Sequence, residues 1–80
     1  MKIFYSKTSF NYLETLDRKT KARIIKAIDK LPDQGDIVRL QGKKIKDIFR
    51  LRVGKFRIIF IIEKDSIKIL DIDSRGDIYK

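Results

Sequence analysis

The sequence predicts a single α+β domain spanning residues 1–80: an N-terminal strand, a helical hairpin, then a three-stranded antiparallel meander (β-α-α-β-β-β), with the helices on one face of the sheet. Three observations carry this reading. Apolar residues recur at three- and four-residue spacings up to Pro32, as on helix faces. From Ile48 onward they alternate or run continuously, as in strands. Strands grouped after a helical hairpin indicate an α+β layer with a largely antiparallel sheet.

Lys2-Ile3-Phe4-Tyr5 reads as the first strand, and Ser6-Lys7-Thr8-Ser9 supplies several helix N-cap candidates. Phe10, Leu13 and Leu16 form one face of a short helix. Asp17 caps a second helix, whose apolar stripe is Ile24, Ile28 and Leu31, flanked by Ala22 and Ile25. Lys19, Arg23, Lys26 and Lys30 take its solvent side, and Pro32 ends it. Asp33-Gln34-Gly35-Asp36 is a turn cluster, Ile37-Val38-Arg39-Leu40 an extended segment, and Gln41-Gly42-Lys43-Lys44 a basic loop.

The stretch from Asp47 to Ile62 organises the rest. It reads as two strands joined at Gly54-Lys55. Phe49, Leu51 and Val53 point to one face of the first strand, and Ile48, Arg50 and Arg52 to the other. The second strand begins with Arg57 and is then apolar on both faces, as a central strand is. Glu63-Lys64-Asp65-Ser66 is a polar turn and Ile67–Ile72 a further strand. With helices on one face only, Arg50 and Arg52 project from the open one.

Composition narrows the chemistry. A chain of 80 residues makes one small domain that buries about 60–65% of its unfolded surface. Without cysteine there is no disulfide framework or thiolate metal site, and without histidine the commonest general base and metal ligand are missing. No apolar run approaches the ~18 residues of a membrane span, and the N-terminus lacks the apolar core of a signal peptide. The expectation is a soluble cytoplasmic protein without cofactor or metal.

The formal charge of +9 is concentrated. From Arg39 to Arg57 there are eight basic residues and one acid, whereas the rest of the chain nets only +2. A polyanion is the partner such a field suggests. Arg50, Arg52 and Arg57 offer planar forks that match phosphate oxygens, although a solvated basic face that keeps the sheet soluble has the same composition. Lys43-Lys44-Ile45-Lys46 reads as nucleic-acid backbone contacts or as a solvated charge run. Tyr79 can stack on a base, or close an edge of the core. Asp71 and Asp73 lie at one strand end; with no histidine anywhere they are weak evidence for a metal or acid/base pair.

Leu40-Gln41-Gly42, the run Phe49–Phe60 with its Arg-x-Arg-x-Gly-x-Phe-Arg core, and Arg75-Gly76-Asp77-Ile78-Tyr79 together resemble the RelE/ParE superfamily of type II toxins, over essentially the whole chain. That resemblance implies a ribosome-dependent endoribonuclease that cuts mRNA in the A site, held inactive by a cognate antitoxin. The implied chemistry is metal-independent attack of a ribose 2′-hydroxyl on the adjacent phosphate. Carried over, Arg50, Arg52, Arg57, Arg75 and Tyr79 surround the scissile phosphate. Arg39, Lys43, Lys44, Lys46 and Lys55 supply further RNA contacts.

The sequence departs from the family pattern in two places. Ser74 stands where many members have histidine before the tail arginine, and both strand positions are arginine where some use lysine or glutamate as a base. Arginine is a poor proton acceptor, and Lys43, Lys44, Lys46 or Lys55 could fill that role. Two other readings share these residues: a ParE-like gyrase poison without nuclease activity, and a non-enzymatic RNA-binding module.

Overall fold

The computed structural model describes residues 1–40 and 48–74. Two helices and five strands follow in the order β1 (Lys2–Tyr5), α1 (Lys7–Glu14), α2 (Arg18–Asp29), β2 (Asp36–Leu40), β3 (Ile48–Val53), β4 (Phe56–Glu63) and β5 (Ser66–Asp73). The strands form one sheet in the order β1-β5-β4-β3-β2. Strands β2 to β5 run as an antiparallel meander, and β1 closes the far edge parallel to β5, with Lys2 opposite Ser66. The meander thus has four strands rather than three. Ile37–Leu40 gains strand status by pairing with β3, which its own short run could not specify.

Both helices begin where a side chain can satisfy their first N–H groups. Ser6 caps α1: its Oγ accepts from the Ser9 N–H at 3.1 Å and donates to the Leu70 carbonyl at 2.9 Å. Asp17 caps α2 through the Thr20 N–H at 3.2 Å. Helix α2 ends at Asp29, capped by Lys30, and the Leu31–Pro32 peptide bond is cis. Phe10 does not join the core as its spacing suggested; it is 53% exposed. Ser9 holds the buried position instead, because its hydroxyl reaches the Ser6 and Ile69 carbonyls.

The core lies between the helices and one sheet face. Leu13, Ile24, Ile28 and Leu31 pack against Leu51, Phe56, Ile58, Phe60, Ile67, Ile69 and Ile72. Phe49 stacks on Phe60 at 5.5 Å between ring centroids. Gly54 opens the β3–β4 turn at φ 62°, the conformation a two-residue hairpin needs at its first central position. A register shift between Ile59 and Phe60 on β4 makes Ile59 face Asp71 while Phe60 faces Ile69. The extra residue on β5 is Leu70. This bulge changes which side chains of β5 face the core: Ile67 and Ile69 before it, Ile72 after it. Asp71 and Asp73 therefore point to the face opposite the helices.

Candidate nucleic-acid interface

Strand register determines what the open face presents, since Cα partners share a side of the sheet. One rung reads Asp73, Arg57, Arg52, Asp36 across β5, β4, β3 and β2. The next reads Asp71, Ile59, Arg50, Val38. Arg50, Arg52 and Arg57 are therefore brought together next to the β3–β4 turn, as their alternation predicted.

The three arginines are not equally free. Arg52 is exposed. The side chains of Arg50 and Arg57 are only 19% and 34% accessible. Arg50 Nη2 lies 3.7 Å from Asp36 Oδ1, and Arg57 Nε lies 3.7 Å from Asp73 Oδ1. Both separations exceed ordinary hydrogen-bond length, and the buried Nε atoms of Arg50 and Arg57 make no hydrogen bond. Two half-buried guanidinium groups are thus held near carboxylates by charge, with their Nε atoms turned away from solvent. Asp71 adds a third carboxylate, its Oδ1 accepting from the Ile72 N–H at 3.0 Å.

Lys55 sits in the turn, its Nζ 5.8 Å from the centroid of the Phe56 ring. Arg39 is placed elsewhere. As the partner of Phe49 it stands on the helix side of edge strand β2, away from the arginine cluster, because Val38 and Leu40 take the open side. Lys43, Lys44, Lys46, Arg75 and Tyr79 lie outside the described residues. Among the described residues, no three His, Cys, Asp or Glu side chains are placed to hold a metal ion, and no helix is long and apolar enough to cross a membrane.

That Asp36 and Asp73 stand beside Arg50 and Arg57 is what sequence reasoning missed. Asp36 read as part of a turn, and Asp73 reaches the arginine face only through the bulge at Leu70. A second feature also went unread. A groove of about 410 Å³ beside α2 has Ala27 and Val53 in its lining and Arg23, Lys26 and Lys30 along it. Arg23 reaches over the hairpin turn, where a Cβ on Gly54 would stand 3.1 Å from its Nη2.

Known proteins with this fold carry the same pairing of helices and sheet. The archaeal RelE of the RelE–RelB complex from Pyrococcus horikoshii is 25% identical, with a TM-score of 0.78 over 94% of both chains. The RelB–RelE complex from Methanococcus jannaschii (24% identity, TM-score 0.74, 95% of this chain and 94% of that one) and the YoeB dimer from Staphylococcus aureus (22%, 0.64, 89% and 92%) share the fold. No curated protein matches the sequence. Residues 3–79 match the family described as ParE toxin of type II toxin-antitoxin system, parDE. With that match covering nearly the whole chain and RelE and YoeB among its structural neighbours, the protein belongs to the RelE/ParE superfamily as a toxin of a type II toxin–antitoxin system.

Proposed function

We propose that this toxin is an endoribonuclease that cleaves mRNA on the ribosome, in the cytoplasm, without a metal. The observation that carries the reading is the convergence of Arg50, Arg52 and Arg57 on the sheet face opposite the helices, beside the β3–β4 turn. In-line attack by a ribose 2′-hydroxyl on the adjacent phosphorus forms one P–O bond as the hydroxyl gives up its proton, and breaks the bond to the 5′-oxygen, which takes up a proton. The products are a 2′,3′-cyclic phosphate and a 5′-hydroxyl. Negative charge grows on the phosphoryl oxygens along the way, and guanidinium forks already fixed in place stabilise it without reorganising. Arg57 stands on β4, the middle strand, between buried Phe56 and Ile58, which fixes its backbone position. Arg75 and Tyr79 complete the site in this reading, as the family pattern implies.

The partner is a cognate antitoxin, as RelB is for the RelE neighbours. The groove beside α2, with three cations and an apolar lining, suits an acidic segment that folds on binding. Co-expression with the product of the neighbouring gene tests this: a toxin harmless alone and not bound by that product removes the toxin–antitoxin partnership.

The family match, which carries the ParE description, favours a second reading, a gyrase poison on the same fold. Purified ribosomes programmed with mRNA, run beside a gyrase cleavage assay, separate the two. Cut mRNA supports the nuclease and gyrase-dependent DNA breaks support the poison. RNA binding with neither leaves a binding module.

A further inference from the structure

We infer that Phe4 is a stacking platform for a base of the same RNA strand whose phosphate rests on the arginine face. The inference rests on reading that face as a phosphate site and adds to it a separate place for a nucleobase.

Register carries one rung across all five strands: Phe4, Lys68, Ile61, Ile48 and Leu40 on β1, β5, β4, β3 and β2. Ile61 lies four residues beyond Arg57 on β4, so this rung shares the arginines' side of the sheet. Ile3 and Tyr5 pack against the core, which turns Phe4 between them outward. The rung is apolar apart from Lys68. Ile61 is buried yet stands outside the core cluster, and Phe4 is 52% exposed. Ile59 continues the apolar strip back toward Arg57, with Asp71 to its side on β5.

Among the described residues, Phe4 is the sheet aromatic on this side, because Tyr5, Phe49, Phe56 and Phe60 pack toward the helices. Beside its ring a hollow of about 190 Å³ opens at the seam of β1 and β5, with Leu70 and Lys68 also in its lining. Leu70, the bulge residue, is itself partly exposed. Lys68 is paired with Glu63 at 3.0 Å, so the hollow offers apolar surface rather than an uncommitted charge. Single-stranded nucleic acid is held by cations that track its backbone together with aromatic rings on which its bases stack. Here the arginines supply the first and Phe4 the second. Four residues along β4 and two strand spacings across, Phe4 stands about 16 Å from Arg57. At about 3.4 Å per stacked nucleotide that is about five nucleotides, and fewer where the strand is drawn out. A strand fixed at the arginines therefore delivers its own bases to the ring at high effective concentration.

The experiment measures binding of uncleavable 2′-deoxythymidine oligomers, a dinucleotide and an octamer, to the wild type, F4A, F4Y and F4W. The dinucleotide is too short to reach from the arginines to Phe4. F4A is expected to bind the dinucleotide as the wild type does and the octamer about 5- to 150-fold more weakly, the range of one base stacked on a ring. F4Y keeps the ring and recovers the octamer. The chain has no tryptophan, so F4W carries a single reporter, whose fluorescence the octamer should quench and the dinucleotide should not. Stacking releases no counterions, so F4A should keep the wild-type slope of log affinity against log salt for the octamer, whereas R52T should lower it by about 0.7. Equal binding of the octamer by F4A and the wild type overturns the proposal. A loss shared by the dinucleotide overturns it by making Phe4 a prop for the sheet, and a lowered salt slope in F4A overturns it by routing the effect through phosphates. Quenching of F4W on concentration alone overturns it too, because a second copy of the chain then covers the ring. No binding of either oligomer by folded wild-type protein removes this inference together with the phosphate site. A length-dependent loss in F4A of a protein that cleaves no mRNA supports the inference and rejects only the nuclease.

Discussion

Arg52 and Arg57 are Cα partners across the β3–β4 hairpin, two like charges set directly opposite one another on one face of the sheet. Such a pair destabilises a sheet relative to an apolar or oppositely charged one. Arg52→Thr removes the repulsion and installs a residue suited to strands. Its thermal midpoint is expected to rise, with a gain of about 0.2–1 kcal/mol, while affinity for RNA falls. Thermal denaturation by circular dichroism beside RNA titration checks both; a lower midpoint would show that Arg52 supports the fold.

Arg57→Ala is expected to slow mRNA cleavage about 100-fold or more, the usual cost of losing one fixed donor to a charged transition state. Folding should lose about 1 kcal/mol or less, since its Asp73 partner is itself partly solvated. Arg57→Lys keeps the charge but not the fork, and recovers only part of the rate. Single-turnover cleavage on programmed ribosomes reads this directly. A folded alanine variant cutting at the wild-type rate would take Arg57 out of the site.

Lys64, in the β4–β5 turn, adopts φ 50°, a conformation that costs a side chain about 1–2 kcal/mol. Lys64→Gly relieves that strain and is expected to stabilise by about 0.5–1 kcal/mol once glycine's added freedom in the unfolded chain is set against it. Gly35→Ala should do the opposite. Its φ is 125°, and a Cβ there would lie 2.7 Å from Leu51 Cδ1 in the core. Urea midpoints of the two variants should move in opposite directions.

Burial, and then the nearby negative charge of Asp29, push the Tyr5 phenol above its ordinary value of 10.0. The folded state therefore favours the neutral phenol. This contribution to stability is complete below pH 10.0 and disappears as pH rises through the elevated folded value. Ultraviolet titration should show a late-ionising tyrosine that vanishes in Tyr5→Phe and moves earlier in Asp29→Asn. A Tyr5 that ionises at 10.0 in the folded protein would contradict the packing of β1 against the helices.

Much of this molecule could be read from its residues. Alternation in β3 placed Leu51 inside and Arg50 and Arg52 outside, and Gly54-Lys55 located the turn. Asp17 announced α2, and Ile24, Ile28 and Leu31 announced its buried stripe. What escaped depended on pairing between distant segments. Asp73 belongs to the arginine face because Leu70 bulges; strict alternation from Ile67 would have sent it toward the helices. Arg39 sits with the basic run in sequence, yet its register opposite Phe49 turns it to the other side of the sheet. Phe10 lost its core position to Ser9, whose hydroxyl finds carbonyls that lie 60 residues away and nearby.

The parallel pairing of β1 with β5 has a consequence for the order of events during synthesis. The arginines come together in a local hairpin that can form as soon as Arg57 has been made. Lys2–Tyr5 must wait for Ser66–Ile69, and the bond from the Ser6 hydroxyl to the Leu70 carbonyl waits with it. At about 5–20 residues per second the 63 residues between Lys2 and Ser66 take roughly 3–13 s to translate. For that interval the first strand has no neighbour, and until Asp73 follows, Arg57 stands without its carboxylate partner. The nascent toxin thus passes through a stage more basic on this face, and more open at this edge, than the protein it becomes.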